Sequence, residues 1–242
     1  MDTIENRLQA VKSRIASACQ RLARDPRDIV LVAVAKGFPA ADVRAAHAAG
    51  QRDLGENQVQ EALGKVRALD GCDLIWHFIG PIQSNKTRPV AERLDWVHSI
   101  DRLKIAERLA AQRPASLPPL QVCVQVNVSG EASKSGVTPA EAPALAHAVA
   151  ALPRLRLRGL MTIPEPSPDA ALVRRRFDAL ATLKERLARE GLALDTLSMG
   201  MSDDLELAIA AGATLVRVGT AIFGPRTKDR EAAEQRRFAN PR

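Results

Sequence analysis

Apolar residues recur along this chain in two rhythms, one of period two and one of three to four, and they take turns. Ile4, Leu8, Val11, Ile15, Ala18 and Leu22 share a helical stripe, predicting an amphipathic first helix. Asp2 is the expected cap, with Glu5 three residues on, and Asp25-Pro26 the stop. After it come short strand-like runs at 29–35, 52–56, 74–80, 96–100, 121–128, 156–163, 194–200 and 215–224. Helical stretches follow at 40–49, 57–68, a segment ending near Leu94, 101–113, 139–151, 169–190 and 203–211.

Eight strands alternating with helices imply a parallel sheet wrapped by helices. Eight such units in 242 residues fit an α/β chain folded as a (β/α)8 TIM barrel, here with an extra N-terminal helix. An open doubly wound sheet is the rival, but no GxGxxG follows the first strand. Local signals fit the barrel. Phe177, Leu180, Leu183 and Leu187 line one face of the long helix 169–190. Gly50 and Gly212 fall just past helices, where a left-handed residue suits the return to a strand. Pro89 is accommodated if Thr87 caps its helix. Residues 1–242 are expected to form one domain, with 225–242 a basic tail.

Composition narrows the setting. No apolar run approaches the roughly 20 residues that span a bilayer. The start, "MDTIENRLQAVKSRI", is charged rather than signal-like. Cys19, Cys72 and Cys123 lack CxxC spacing, so a reduced cytoplasmic location is expected, without disulfides or a metal. The net charge of +7 invites a nucleic-acid reading. With aromatics at 3% and no tyrosine, however, stacking platforms are scarce, and solvated helix faces account for the charge better. No nucleic-acid or membrane partner is expected, and the chain is expected to be a monomer.

In such a barrel the site lies where strands end. The strand ends bring Lys36, Glu56, Asn57, His77, Ser99, Asn127, Met161, Ser198 and Arg217 to one mouth. "LSMGMSDD" and "RVGTAIFG" place Ser198 with Gly200, and Gly219 with Thr220, in the loops after strands seven and eight, a common phosphate position. Asp203 and Asp204 would repel a phosphate and are expected to turn outward. Arg217, mid-strand, either points into the mouth or forms a buried ion pair. Lys36 ends the apolar run "IVLVAVAK". It either marks the strand's exit to water or meets a phosphate-bearing aldehyde as a Schiff base, chemistry that needs the neutral amine.

The segments "VAVAKGFP", "DLGENQVQEALGK", "WHFIGPIQSNK", "VNVSGEASKSGV", "RGLMTIPE" and "LSMGMSDDLELAIAAGATLVRVGTAIFG" resemble the pyridoxal-phosphate homeostasis proteins, single-barrel relatives of the alanine racemase N-terminal domain. The resemblance runs from the first helix to about Gly224. It implies a barrel binding pyridoxal 5′-phosphate, with a covalent aldimine to Lys36. It also implies Ser198, Gly200, Gly219 and Thr220 at the phosphate, Arg217 near the pyridine nitrogen, and Asn57 and His77 lining the mouth. Met161 is placed with them as a strand-end residue.

A racemase of this kind needs two bases on opposite faces of the substrate carbon, and the relatives' second base is a tyrosine that this chain lacks. A carrier that holds the cofactor reversibly, serves intracellular vitamin B6 and amino-acid homeostasis without turnover, and passes the cofactor to recipient enzymes is therefore expected; a racemase is the alternative. The loop "SGEASKSG" is an ordinary surface loop or a flap, with Lys134 a minor candidate.

Overall fold

The computed structural model describes residues 2–131 and 135–225. Lys134 and the basic tail beyond residue 225 lie outside these described residues.

Eight parallel strands close into a barrel in sequence order: β1 (Val30–Val34), β2 (Asp53–Glu56), β3 (Ile75–Phe78), β4 (Trp96–Ile100), β5 (Leu120–Gln125), β6 (Leu155–Met161), β7 (Thr196–Ser198) and β8 (Leu215–Val218), with β8 pairing back onto β1. The (β/α)8 architecture expected from the sequence is the one observed. The helices α2 (Ala40–Ala48), α3 (Val59–Ala68), α4 (Thr87–Arg93), α5 (Leu103–Gln112), α6 (Ala142–Ala150), α7 (Ala170–Arg189) and α8 (Leu205–Ala210) follow the first seven strands in turn; the four-residue α9 (Thr220–Phe223) follows β8. The extra N-terminal helix is α1 (Ile4–Arg21).

Local chemistry explains most boundaries and corrects two. Thr3, not Asp2, caps α1 by accepting the Asn6 N–H, while Asp2 pairs with Arg7. Thr87 is not a cap either. It is the fully buried first residue of α4, donating to the Ser84 carbonyl of the 3-10 turn before it, and Pro89 sits in the first turn, where its missing N–H costs nothing. Gly50 and Gly212 do adopt left-handed conformations after α2 and α8, with φ of +84° and +95°.

The stripe Leu8, Val11, Ile15, Ala18 and Cys19 buries α1 against the outside of the barrel, next to α2, α8 and α9. On α7, Phe177, Leu180, Leu183 and Leu187 pack inward as their spacing predicted. The barrel interior is less aliphatic than the strand patterns suggested. His77 stacks on Trp96 with ring centroids 5.4 Å apart, and the Arg158 guanidinium lies 5.0 Å from the centroid of the Trp96 ring. Cys123 fills buried space on β5.

Candidate ligand-binding site

A pocket of about 360 Å³ opens at the C-terminal ends of the strands. Lys36 reaches it from β1 because Val32, Val34 and Lys36 alternate onto the inward face; the methyls of Val32 and Val34 approach the inner side of Gly55 on β2. The backbone on both sides of Lys36 is clamped. Lys65 Nζ donates to the Ala35 carbonyl at 2.6 Å, and the Gly37 N–H donates to Glu61 Oε1 at 2.5 Å. Gly37 needs its φ of +76° to turn the chain there. Among the described residues, no side chain pairs with the Lys36 amine.

The clamp has its own electrostatics. Lys65 also donates to Glu56 Oε1 at 2.5 Å and Glu61 Oε1 at 2.8 Å, all beneath the strand ends. Glu56 points away from the mouth, the opposite parity to Gly55. Burial outweighs the Lys65 contact and pushes its carboxyl up to about 7, and its second oxygen, Oε2, has no partner.

Arg217 reaches the same pocket from β8, only 3% exposed. It donates to Ser198 Oγ at 2.6 Å and to the Thr162 carbonyl at 2.9 Å. Among the described residues no carboxylate stands within ion-pair distance of it, which removes the buried ion pair as an account of this arginine. Burial pushes its guanidinium down to about 10.

The loops after β7 and β8 supply the far wall. Gly200, with φ of +95°, turns the chain out of β7; a Cβ there would lie 2.6 Å from that of Ala208. Past that turn come Met201, Ser202 and Asp203, all lining the pocket. Gly219 and Thr220 line it from the other side, and a Cβ on Gly219 would meet the Val34 carbonyl at 3.1 Å. The glycine thus brings this loop down onto the end of β1, close to Lys36. Phe38, just past Lys36, stacks on Phe223 of α9 at 5.1 Å. Asn57 completes the rim after β2, its backbone so close to Gly80 that any side chain there would strike it.

The structure therefore brings Lys36, Asn57, Arg217, Gly219 and Thr220 to one pocket. Four other expected residues sit elsewhere. Ser198 is fully buried within β7 and bonds Arg217 and His98. Met161 is fully buried on β6, and Gly200 is a turn behind the pocket wall. His77 lies below the mouth, bonded to Asp53 and His98. Of the remaining strand-end residues, Ser99 donates to the Gly80 carbonyl, and Asn127 folds back on its own loop. Neither aspartate clears the site as expected: Asp203, though exposed, lines the pocket, and Asp204 Oδ1 accepts the Met201 N–H at 2.6 Å, with burial raising its carboxyl. Ser202 is the hydroxyl that the sequence reading missed, four residues beyond Ser198 in the same motif.

A buried-backed amine, a donor-only guanidinium, two hydroxyls flanking glycine turns and the apolar walls of Ile79, Pro81 and Ile163, with the Asp203 carboxylate at the exposed edge, make a barrel mouth suited to a small, flat, anionic carbonyl compound. The chain belongs to the alanine racemase N-terminal domain family, whose profile matches residues 7–227. Within it, the chain is a member of the pyridoxal phosphate homeostasis proteins. It is 62% identical over 226 residues to the protein of that name from Pseudomonas aeruginosa, covering 93% of this chain and 97% of that one. It is 53% identical over 233 residues to that from Escherichia coli K12, covering 93% and 98%. Among solved structures, PipY of Synechococcus elongatus, described with PLP bound, matches with a TM-score of 0.81 at 38% identity, over 92% of this chain and all of that one. An alanine racemase from Corynebacterium glutamicum shares the fold at 17% identity, with a TM-score of 0.72 over 93% of this chain and 61% of its own. Among the described residues no helix is long and apolar enough to cross a membrane, and no group of three potential metal ligands gathers.

Proposed function

We propose that this chain binds pyridoxal 5′-phosphate at the barrel mouth, holds it reversibly as a Schiff base on Lys36, and acts in intracellular vitamin B6 and amino-acid homeostasis without catalytic turnover. The observation that carries this reading is the placement of Lys36 and Arg217 in one pocket with the hydroxyls of Ser202 and Thr220. The names of the close relatives and the cofactor in PipY support it.

The bound cofactor supplies an electrophilic aldehyde carbon and a pyridine ring. Lys36 would be the residue that holds the aldehyde, through a reversible Schiff base whose formation would release one water and whose hydrolysis would consume one. Ser202, Thr220 and the backbone at Gly219 would hold the phosphate, and Arg217 would face the ring nitrogen. Because a guanidinium only donates, it would leave that nitrogen unprotonated and a poor electron sink. This weakens carbanion chemistry and suits storage and exchange.

Absence of turnover has further support. Racemisation needs a second base opposite the lysine; the described lining carries no histidine, cysteine or tyrosine, and its one carboxylate, Asp203, is exposed to solvent. The unpaired thiols fit a reducing cytosol. Purified protein loaded with pyridoxal phosphate should transfer it to an apo-enzyme while leaving L-alanine and other amino acids unracemised over hours. Racemisation that disappears in Lys36→Ala would establish the racemase alternative instead.

A further inference from the structure

Five side chains from five strands form one hydrogen-bonded line through the barrel. Arg217 Nη1 stands 2.6 Å from Ser198 Oγ, and that oxygen stands 2.7 Å from His98 Nδ1. His98 Nε2 is 2.9 Å from His77 Nδ1, and His77 Nε2 is 2.9 Å from Asp53 Oδ1. One end lies in the pocket. The other, at the first residue of β2, belongs to the opposite opening of the barrel, where the Asp53 side chain is 24% exposed.

The direction of every bond in this line follows from its two ends, a guanidinium that only donates and a carboxylate that only accepts. A guanidinium can only donate, so Ser198 Oγ accepts from Arg217. The serine proton then has His98 Nδ1 as its acceptor. Burial, with His77 and Arg217 nearby, holds His98 well below the usual imidazole range, so the ring carries one proton, and that proton is on Nε2. It points at His77 Nδ1, leaving the His77 proton on Nε2, aimed at the Asp53 carboxylate. Each ring uses one donor and one acceptor, and none is left over. Four bonds polarised the same way strengthen one another in a low-dielectric interior. The guanidinium, which has no carboxylate within ion-pair distance and feels Asp204 only from farther off, stands at the head of a line that ends in one.

We propose that Ser198, His98, His77 and Asp53 are positioning residues for Arg217, a one-directional relay through which a carboxylate at the far opening of the barrel orients and electrically supports the guanidinium in the pocket. That Arg217 then meets a pyridine nitrogen rests on the cofactor reading above; the direction of the relay does not. An ordinary buried polar cluster would tolerate either tautomer at each ring and would not carry a change at one end to the other.

The test uses the full chain with 15N-labelled histidine, ligand-free at pH 7.5, and long-range proton–nitrogen correlation spectra. His77→Gln and His98→Gln assign the signals. Both rings are expected as the neutral Nε2–H tautomer. Asp53→Asn keeps an acceptor for His77 but removes the charge. It should shift the Nε2 proton of His98 as well as that of His77, although Asp53 touches only His77. The same variant should raise the dissociation constant for pyridoxal phosphate by about three- to tenfold at an unchanged unfolding midpoint. A proton on His98 Nδ1, a doubly protonated ring, or a His98 signal indifferent to Asp53→Asn would overturn the relay. An unchanged dissociation constant would overturn its positioning role. Failure of the wild type to bind pyridoxal phosphate would count against the proposed function, leaving the relay to stand or fall on the ligand-free spectra.

Discussion

Arg14 of α1 grips Glu206 of α8 with two parallel bonds, Nε to Oε1 at 2.8 Å and Nη2 to Oε2 at 2.9 Å, and the same Nη2 donates to the Ser202 carbonyl at 2.9 Å. Arg7, two turns earlier on the helix, donates to the Ile222 carbonyl at the end of α9. The helix that precedes the barrel therefore braces both loops that face the pocket from β7 and β8.

Loss of that brace should be felt at the pocket. Both partners of the Arg14–Glu206 pair are about a third exposed, so solvent screens it, and Arg14→Ala should cost only ~1 kcal/mol of stability. Affinity for pyridoxal phosphate should fall about fivefold, because Ser202 loses the anchor of its own backbone. Urea unfolding and a binding titration check the two numbers, and an unchanged affinity would detach α1 from the site.

Glu56 gives a pH signature. Its carboxyl keeps its proton up to about 7 when folded, against 4.5 when unfolded. Between these values the folded chain holds one more proton, so this group's contribution to stability is lost as pH rises. Relative to Glu56→Gln, the wild type should become less stable from about pH 5 to about pH 8, by at most ~3 kcal/mol. Denaturant midpoints of the two proteins across that range provide the check. A difference that stays flat would place the proton elsewhere.

Much of this fold could be read from the chain. The strand–helix alternation is strong because buried parallel strands and amphipathic helices have different periods, and Lys36, Arg217, Gly219 and Thr220 stand where chain order puts the barrel mouth. What the sequence left hidden is depth. A period of two says which strand residues share a face, not which layer of the barrel they occupy, so His77 was expected at a mouth it does not reach, and the inward His98 was overlooked. Parity misled at β2, where Glu56 turns outward and the next residue, Asn57, lines the pocket. Ser198 and Ser202 were confused because the left-handed turn at Gly200 separates a buried hydroxyl from an accessible one. That turn was itself the available clue: a hydroxyl after the glycine has left the strand.

Gly200→Ala tests that turn directly. A φ of +95° and a Cβ 2.6 Å from that of Ala208 leave no room for a methyl group. The variant should lose at least ~2 kcal/mol and bind pyridoxal phosphate more than tenfold less tightly, by displacing Ser202. Thermal unfolding and titration would read both; a variant as stable as wild type would mean that the loop has another low-energy path.

The thiols should differ in reactivity. Burial pushes Cys123 up to about 12 and also raises Cys19, whereas Cys72 is half-buried. Native protein treated with iodoacetamide at pH 8 should be modified at Cys72 first, with the other two protected until unfolding. Early modification of Cys123 would contradict the closed barrel interior.

The central claim is that Lys36 holds the cofactor. Protein incubated with pyridoxal phosphate, reduced with borohydride and mapped by peptide mass should carry a pyridoxyl group on the peptide containing Lys36. Lys36→Ala should lose that adduct yet retain weaker, phosphate-driven binding. An unmodified Lys36 peptide, or a reduced adduct formed equally well at another lysine in Lys36→Ala, would contradict the account.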